Sequence, residues 1–255
     1  MILSHRWRFI FIKGRKVAGT SVEMALSTLC GPEDIVTPIT PRDEVERFRA
    51  GGQARNFAWS PIEELQYRSA IAQFAASGSD RFDQVPSAAP ILSRYSNHMS
   101  LAEVLSRFGG PRAGYQAFCV ERSPYSKALS WANMQESYAA YAEGGNMRAA
   151  RGQLAGWMDR VIADGSVVAP RNIDLYRDHD GRLSLRVLRY ADLPGALHEF
   201  LAGLGAPAPA LPHAKKGLMA DTLDPREVLR PDQIERLNEL YREEFETFGY
   251  PMLEP

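Results

Sequence analysis

The chain has 255 residues, of which 45% are hydrophobic and 24% charged, with 20 glycines and 17 prolines. That composition excludes a disordered, collagenous or coiled-coil protein, and a chain this long buries a sizeable core without disulfides or metals. Lys plus Arg number 30 and Asp plus Glu 31, a net charge of −1. No global basic field exists to capture nucleic acid or an anionic membrane, so any anion must be held by a local site.

In chain order, the first element is a strand over Arg8–Lys13, continuously apolar and β-branched or aromatic, as in a strand buried on both faces. This apolar run is too short to span a bilayer and lacks a signal-peptide pattern, which predicts a cytoplasmic protein without a membrane span. Gly14 ends the strand, and a loop from Gly14 to Gly19 leads into a helix over Thr20–Leu26. Cys30 and Cys119 are far apart with no zinc-ligand spacing, and read as two small buried hydrophobes in a reducing compartment. Residues 31–61 are rich in Pro, Gly and charge, with one short helix over Pro41–Arg49. A longer helix covers Pro61–Ala76, and Ser77–Pro90 is a polar, turn-rich surface excursion. Ser100–Phe108 is a helix whose Ser100 and Glu103 match a capping box. A second apolar strand, Gln116–Glu121, turns at Arg122–Tyr125 into a helix from Ser126. Asp178–Gly181 reads as a hairpin turn before a third strand, Val187–Tyr190. Helices over Leu193–Leu204 and Arg230–Phe248 close the chain. Strand, glycine-bearing loop and helix together predict an α/β fold with a central, mostly parallel sheet. No linker divides the chain, so a single domain over 1–255 is expected, with 31–90 as a variable lid and acceptor region.

The loop Gly14-Arg15-Lys16-Val17-Ala18-Gly19-Thr20-Ser21 carries the chemistry. Its glycine spacing, final serine and strand–loop–helix context fit the phosphate-binding pattern G-x-x-x-x-G-K-[ST], but Thr20 stands where the lysine belongs. A nucleoside-triphosphate enzyme uses that lysine on the β and γ phosphates, so its replacement argues against an ATPase or GTPase. Lys16, four residues upstream, supplies a cation, the helix start supplies N–H groups, and Thr20 and Ser21 supply hydroxyls. That set suits a nucleotide whose 5′ phosphate is its last phosphorus.

FIKGRKVAGTSVE resembles the 5′-phosphosulfate loop of the sulfotransferases that use 3′-phosphoadenosine 5′-phosphosulfate (PAPS), commonly P-K-T-A-G-T-S. Lys16, Ala18, Gly19, Thr20 and Ser21 match; Arg15 replaces the usual proline, and Val17 removes one hydroxyl. The segment from Phe118 to Ser130 resembles the family's 3′-phosphate motif, commonly V-R-N-P-Y-D-R-L-V-S, with Ser123 in place of Asn. The resemblance implies that Arg122 and Ser130 bind the 3′-phosphate. Lys215-Lys216-Gly217 loosely resembles a late segment that closes over the nucleotide, which implies a binding role for Lys216 and Gly217. The C-terminal region resembles that of bacterial members, so the resemblance covers most of the chain.

What it implies is a P-loop-like three-layer fold and sulfuryl transfer from PAPS to a hydroxyl or amine of a small-molecule or carbohydrate acceptor. The product is 3′-phosphoadenosine 5′-phosphate (PAP), and the chemistry requires no metal. Lys16 is the natural cation for the leaving phosphate. His98, in Asn97-His98-Met99-Ser100, resembles the histidine region of bacterial members and is the favoured base; His213 and Glu23 are alternatives. Taken singly, each residue has a plainer reading: Lys16 as a solvated charge, Arg122 as a surface arginine, Ser130 bonded to its own helix. The competing functions are a small-molecule P-loop kinase and a catalytically silent nucleotide-binding protein. Phe57, Trp59, Tyr67, Tyr138, Tyr141 and Trp157 are frequent enough to line an acceptor pocket, or are simply core.

Overall fold

A computed structural model of the chain describes residues 1–108, 113–142, 156, 158–159, 171–212 and 224–255. Its sheet is built around β2 (Phe9–Phe11), whose three apolar side chains are all buried. β1 (Ile2–Ser4) pairs with it antiparallel, Ile2 opposite Phe11 and Ser4 opposite Phe9. The sequence reading did not find β1, because no Gly or Asn marks the turn; Arg8 takes the left-handed position itself, with φ of 56°. The turn is held instead by Asp34, whose carboxylate accepts from Ser4 Oγ at 2.9 Å and from the N–H groups of His5, Arg6 and Gly31 at 2.6, 3.0 and 2.8 Å.

β3 (Ile35–Val36) pairs antiparallel with β1. β4 (Gln116–Glu121) runs parallel to β2, with Phe11 opposite Phe118 and Ile12 N–H donating to Phe118 O at 2.9 Å. β5 (Arg186–Arg189) completes the order β3-β1-β2-β4-β5. The fold is therefore α/β with a mixed sheet. Its β2–β4 pair is parallel as expected; β1 departs because a short turn can join it to β2 only as an antiparallel neighbour.

The helices are α1 (Gly19–Ser27), α2 (Pro41–Arg49), α3 (Pro61–Ala76), α4 (Leu101–Phe108), α5 (Pro124–Ala142), α6 (Ile173–Tyr176), α7 (Leu193–Gly203), α8 (Pro225–Val228), α9 (Pro231–Leu240) and α10 (Arg242–Phe248). α2, α3 and β4 keep the bounds read from the sequence. The capping box of α4 is present: Glu103 N–H donates to Ser100 Oγ at 3.3 Å and Ser100 N–H to Glu103 Oε2 at 2.8 Å. α9 and α10, expected as one helix, part at Tyr241, whose φ is −112°. Hydrogen bonds from Tyr241 N–H to Leu237 O and from Phe245 N–H to Tyr241 O still carry the helical pattern past it.

The chain groups into two compact units that alternate along the sequence. The first comprises Met1–Gly14, Ala18–Val120 and Asp174–Ala214. Its sheet core is aromatic, the Phe118 ring lying 5.1 Å from that of Phe11 and 4.3 Å from that of Phe200. A satellite core of Val45, Ala54, Phe57, Tyr67, Ile71 and Val85 lies under α2 and α3. The second comprises Arg15–Val17, Glu121–Ile173 and Lys215–Pro255, with Tyr125, Leu129, Met158, Ile234, Leu237 and Phe245 in its core. No helix of the described residues is long and apolar enough to cross a membrane.

Candidate functional site

In the first unit, α1 begins without a side-chain cap: its N-cap is Ala18, held at φ 60°. A left-handed alanine is strained by about 1–2 kcal/mol. Gly19 follows because nothing larger fits; a Cβ there would lie 2.7 Å from Lys13 Cγ and 3.1 Å from Gly14 O. Thr20 and Ser21 are half-buried, and neither hydroxyl makes a hydrogen bond among the described residues. Hydroxyls at the other end of the helix behave differently: Ser27 Oγ donates to Met24 O and Thr28 Oγ1 to Ala25 O, both at 2.7 Å. The start of α1 thus presents backbone N–H groups, a positive helix end and two hydroxyls, the chemistry of an anion site.

Lys13, which the sequence reading passed over, lies beneath this helix start. Its ammonium donates to Glu23 Oε2 at 2.7 Å, and the pair is buried. Glu23 Oε1 accepts from the Met1 amine at 2.7 Å and from Thr37 Oγ1 at 3.0 Å. Burial alone would raise the Glu23 carboxyl, but Lys13, the Met1 amine and Arg47 outweigh it and hold the group at about 2. Glu23 was expected to face an acceptor; it is instead enclosed and fully ionised, and it is no proton acceptor near neutral pH. A lysine following an apolar strand, ten residues before a buried helix position, was the signal for this pair.

His98 precedes α4 with φ of 57°. Its Nδ1 lies 2.9 Å from Lys13 O. A carbonyl can only accept, so Nδ1 carries the proton and Nε2 carries the lone pair. Nε2 has no hydrogen-bond partner among the described residues. Burial, with Lys13 beside it, lowers the His98 pKa to about 4. At pH 7 the ring is neutral and oriented with Nε2 as the basic nitrogen.

The second unit carries the middle of the loop. Asn172 clamps Arg15 by both backbone groups, Oδ1 accepting from Arg15 N–H at 2.8 Å and Nδ2 donating to Arg15 O at 3.0 Å. Lys16 is held at φ 62°, and Val17 is fully buried. Arg122, buried at the end of β4, places Nη1 3.5 Å from Lys16 O. The two motifs noted in the sequence, 106 residues apart, therefore meet. Arg122 N–H donates to Glu121 Oε1 at 3.0 Å, which fixes the start of the arginine. Ser130, on α5, is half-buried and makes no hydrogen bond among the described residues, so it does not bond to its own helix.

Beneath these residues is a buried network that the sequence reading missed. Lys127 donates to Glu121 Oε1 at 3.1 Å and Glu244 Oε2 at 2.5 Å, all three side chains being essentially inaccessible. Burial raises the Glu121 pKa and Glu244 raises it further, against the opposing pull of Lys127. Glu121 and Lys127 lie within the Phe118–Ser130 segment without being singled out there; Glu244 and Asn172 are ordinary polar residues with nothing local to mark them.

Of the aromatics suggested for a pocket, Phe57 and Tyr67 are core and pack edge to face, their centroids 5.9 Å apart. Trp59 is exposed beneath the guanidinium of Arg94. The side chains of Tyr138 and Tyr141, together with Trp157, His213, Lys215, Lys216 and Gly217, lie outside the described residues. No protein-family model matches the chain, and no curated protein and no solved structure matches it either.

Proposed function

We propose that the protein transfers a sulfuryl group from PAPS to a hydroxyl or amine of a small-molecule or carbohydrate acceptor, on a P-loop-like three-layer fold. The observation that carries this reading is the meeting of Arg122 with the loop at Lys16. A guanidinium fixed at the end of one strand, against the backbone of a glycine loop that follows its parallel neighbour, suits a nucleotide bearing phosphates at both its 3′ and 5′ positions. Lys16, Thr20, Ser21 and the N–H groups starting α1 take the 5′-phosphosulfate; Arg122 and Ser130 take the 3′-phosphate.

The acceptor hydroxyl is the nucleophile. Its oxygen bonds to sulfur as His98 Nε2 takes its proton, and the bond from sulfur to the 5′-phosphate oxygen breaks. PAP leaves with that electron pair, and Lys16 balances the charge that develops. A histidine held at about 4 is a weak base, but it is neutral throughout the physiological range, and the negative charges of a bound nucleotide raise it. Cys30 and Cys119 are thiols, which suits the reducing cytoplasm as the site of action.

PAP formation from PAPS across a panel of hydroxyl and amine acceptors tests the reading. The comparison is between the wild type and His98→Asn, since asparagine tolerates the left-handed backbone. The variant should form PAP about 10²–10⁴-fold more slowly while retaining its PAP affinity. Equal rates would remove His98 from the chemistry. Tight PAP binding with no transfer to any acceptor would make this a silent nucleotide-binding protein.

A further inference from the structure

We infer that Asn172 is the positioning residue of the loop, holding the backbone at Arg15 so that the turn through Lys16 stays formed without a ligand; the inference rests on the nucleotide reading above. The geometry is specific to asparagine. Its amide closes on Arg15 through both the N–H and the C=O of that residue, at 2.8 and 3.0 Å, while its second amide hydrogen is directed to Glu121 Oε2 at 3.2 Å. One acceptor and two donors are all used. Aspartate at this position loses both donors and adds a third carboxylate beside Glu121 and Glu244; glutamine is one carbon too long for the same closure.

The amide is itself anchored. Backbone N–H groups of Asn172 and Ile173 both donate to Glu244 Oε1, at 2.6 and 3.1 Å, and Glu244 and Glu121 are joined by Lys127. A fully buried side chain thus reaches 157 residues back to a residue that is itself exposed. The next residue, Lys16, has the left-handed φ of 62°, a conformation that a lysine keeps only where its surroundings impose it. The clamp supplies that constraint. A loop ordered in advance binds its anion without the ordering cost that a slack loop would incur.

Calorimetric titration of the wild type and Asn172→Ala with PAP and with adenosine 3′-phosphate, which lacks only the 5′ phosphate, separates positioning from general stability. Asn172→Ala should lower PAP affinity about tenfold, as expected for about two lost hydrogen bonds of modest net worth, and leave adenosine 3′-phosphate affinity unchanged. Equal losses for the two nucleotides, or no loss for either, would overturn the inference. If Asn172→Ala does not fold, amide hydrogen exchange of the unmutated protein decides: the Arg15 amide should be protected despite its exposed side chain, and exchange at the unhindered rate overturns the clamp. A wild type that binds neither nucleotide overturns the sulfotransferase reading instead, and the exchange of Arg15 then judges the clamp alone.

Discussion

Glu23 and Glu121 are both carboxylates at essentially zero exposure, one in each compact unit, Glu23 bonded to Lys13 and Glu121 to Asn172. Their protonation behaviour is opposite. Glu23 faces Lys13 and the Met1 amine and is held at about 2; Glu121 is raised by burial and by Glu244, with which it shares the ammonium of Lys127. Depth does not distinguish them. The charges beside each do: cations prevail at Glu23, whereas Glu121 has the Glu244 carboxylate beside it as well as Lys127. The charge of Lys13 is matched by Glu23 at 2.7 Å.

The largest effect should come from removing the shared cation. Lys127→Met leaves two facing carboxylates and should cost about 3–5 kcal/mol at pH 7, with a smaller loss at pH 5, read by urea unfolding. Lys13→Met should cost less, about 1–3 kcal/mol, because Glu23 keeps the Met1 amine at 2.7 Å and Thr37 at 3.0 Å. The reverse order would break the comparison. Gly19→Ala should cost about 1–3 kcal/mol, since its Cβ meets Lys13 Cγ, a near-backbone atom of a side chain pinned to Glu23; an unchanged melting temperature would show that Lys13 is not held there.

The smallest effect is in the pH profile. Glu23, lowered on folding, contributes stability that is complete above its ordinary value of 4.5 and is lost as pH falls towards 2. Glu121, raised on folding, acts in the other direction: it binds its proton more tightly when folded, so its contribution weakens as pH rises above 4.5. Glu121→Gln should therefore flatten stability on the alkaline side of pH 4.5 while changing it by no more than about 1 kcal/mol at neutral pH. A profile identical to that of the wild type would place the raised group elsewhere.

Much of the fold was readable in sequence because its signals are local. Pro41 and Pro61 start α2 and α3, Ser100 and Glu103 box α4, and the apolar run Phe118–Val120 forms a buried strand. β1 was not readable, because Arg8 does at its turn what glycine usually does. Lys16, Ala18, Thr20, Ser21 and Arg122 could be picked out by pattern, and the structure joins Lys16 to Arg122. What pattern could not show is what holds them: Asn172 and Glu244 act through contacts 157 and 117 residues distant, and such partners leave no spacing to read. Glu23 was misjudged for the same reason, since its orientation is set by Lys13, Thr37 and the Met1 amine rather than by its place on α1.

On the proposed function, Lys16 and Arg122 help bind a nucleotide with terminal 3′ and 5′ phosphates. Calorimetric titration with PAP, set against ATP with magnesium, tests it most directly. Saturable PAP binding is expected that ATP with magnesium does not reproduce, weakened by about 1.5–3 kcal/mol in both Lys16→Ala and Arg122→Ala. Binding of ATP with magnesium in the absence of any PAP binding would contradict it.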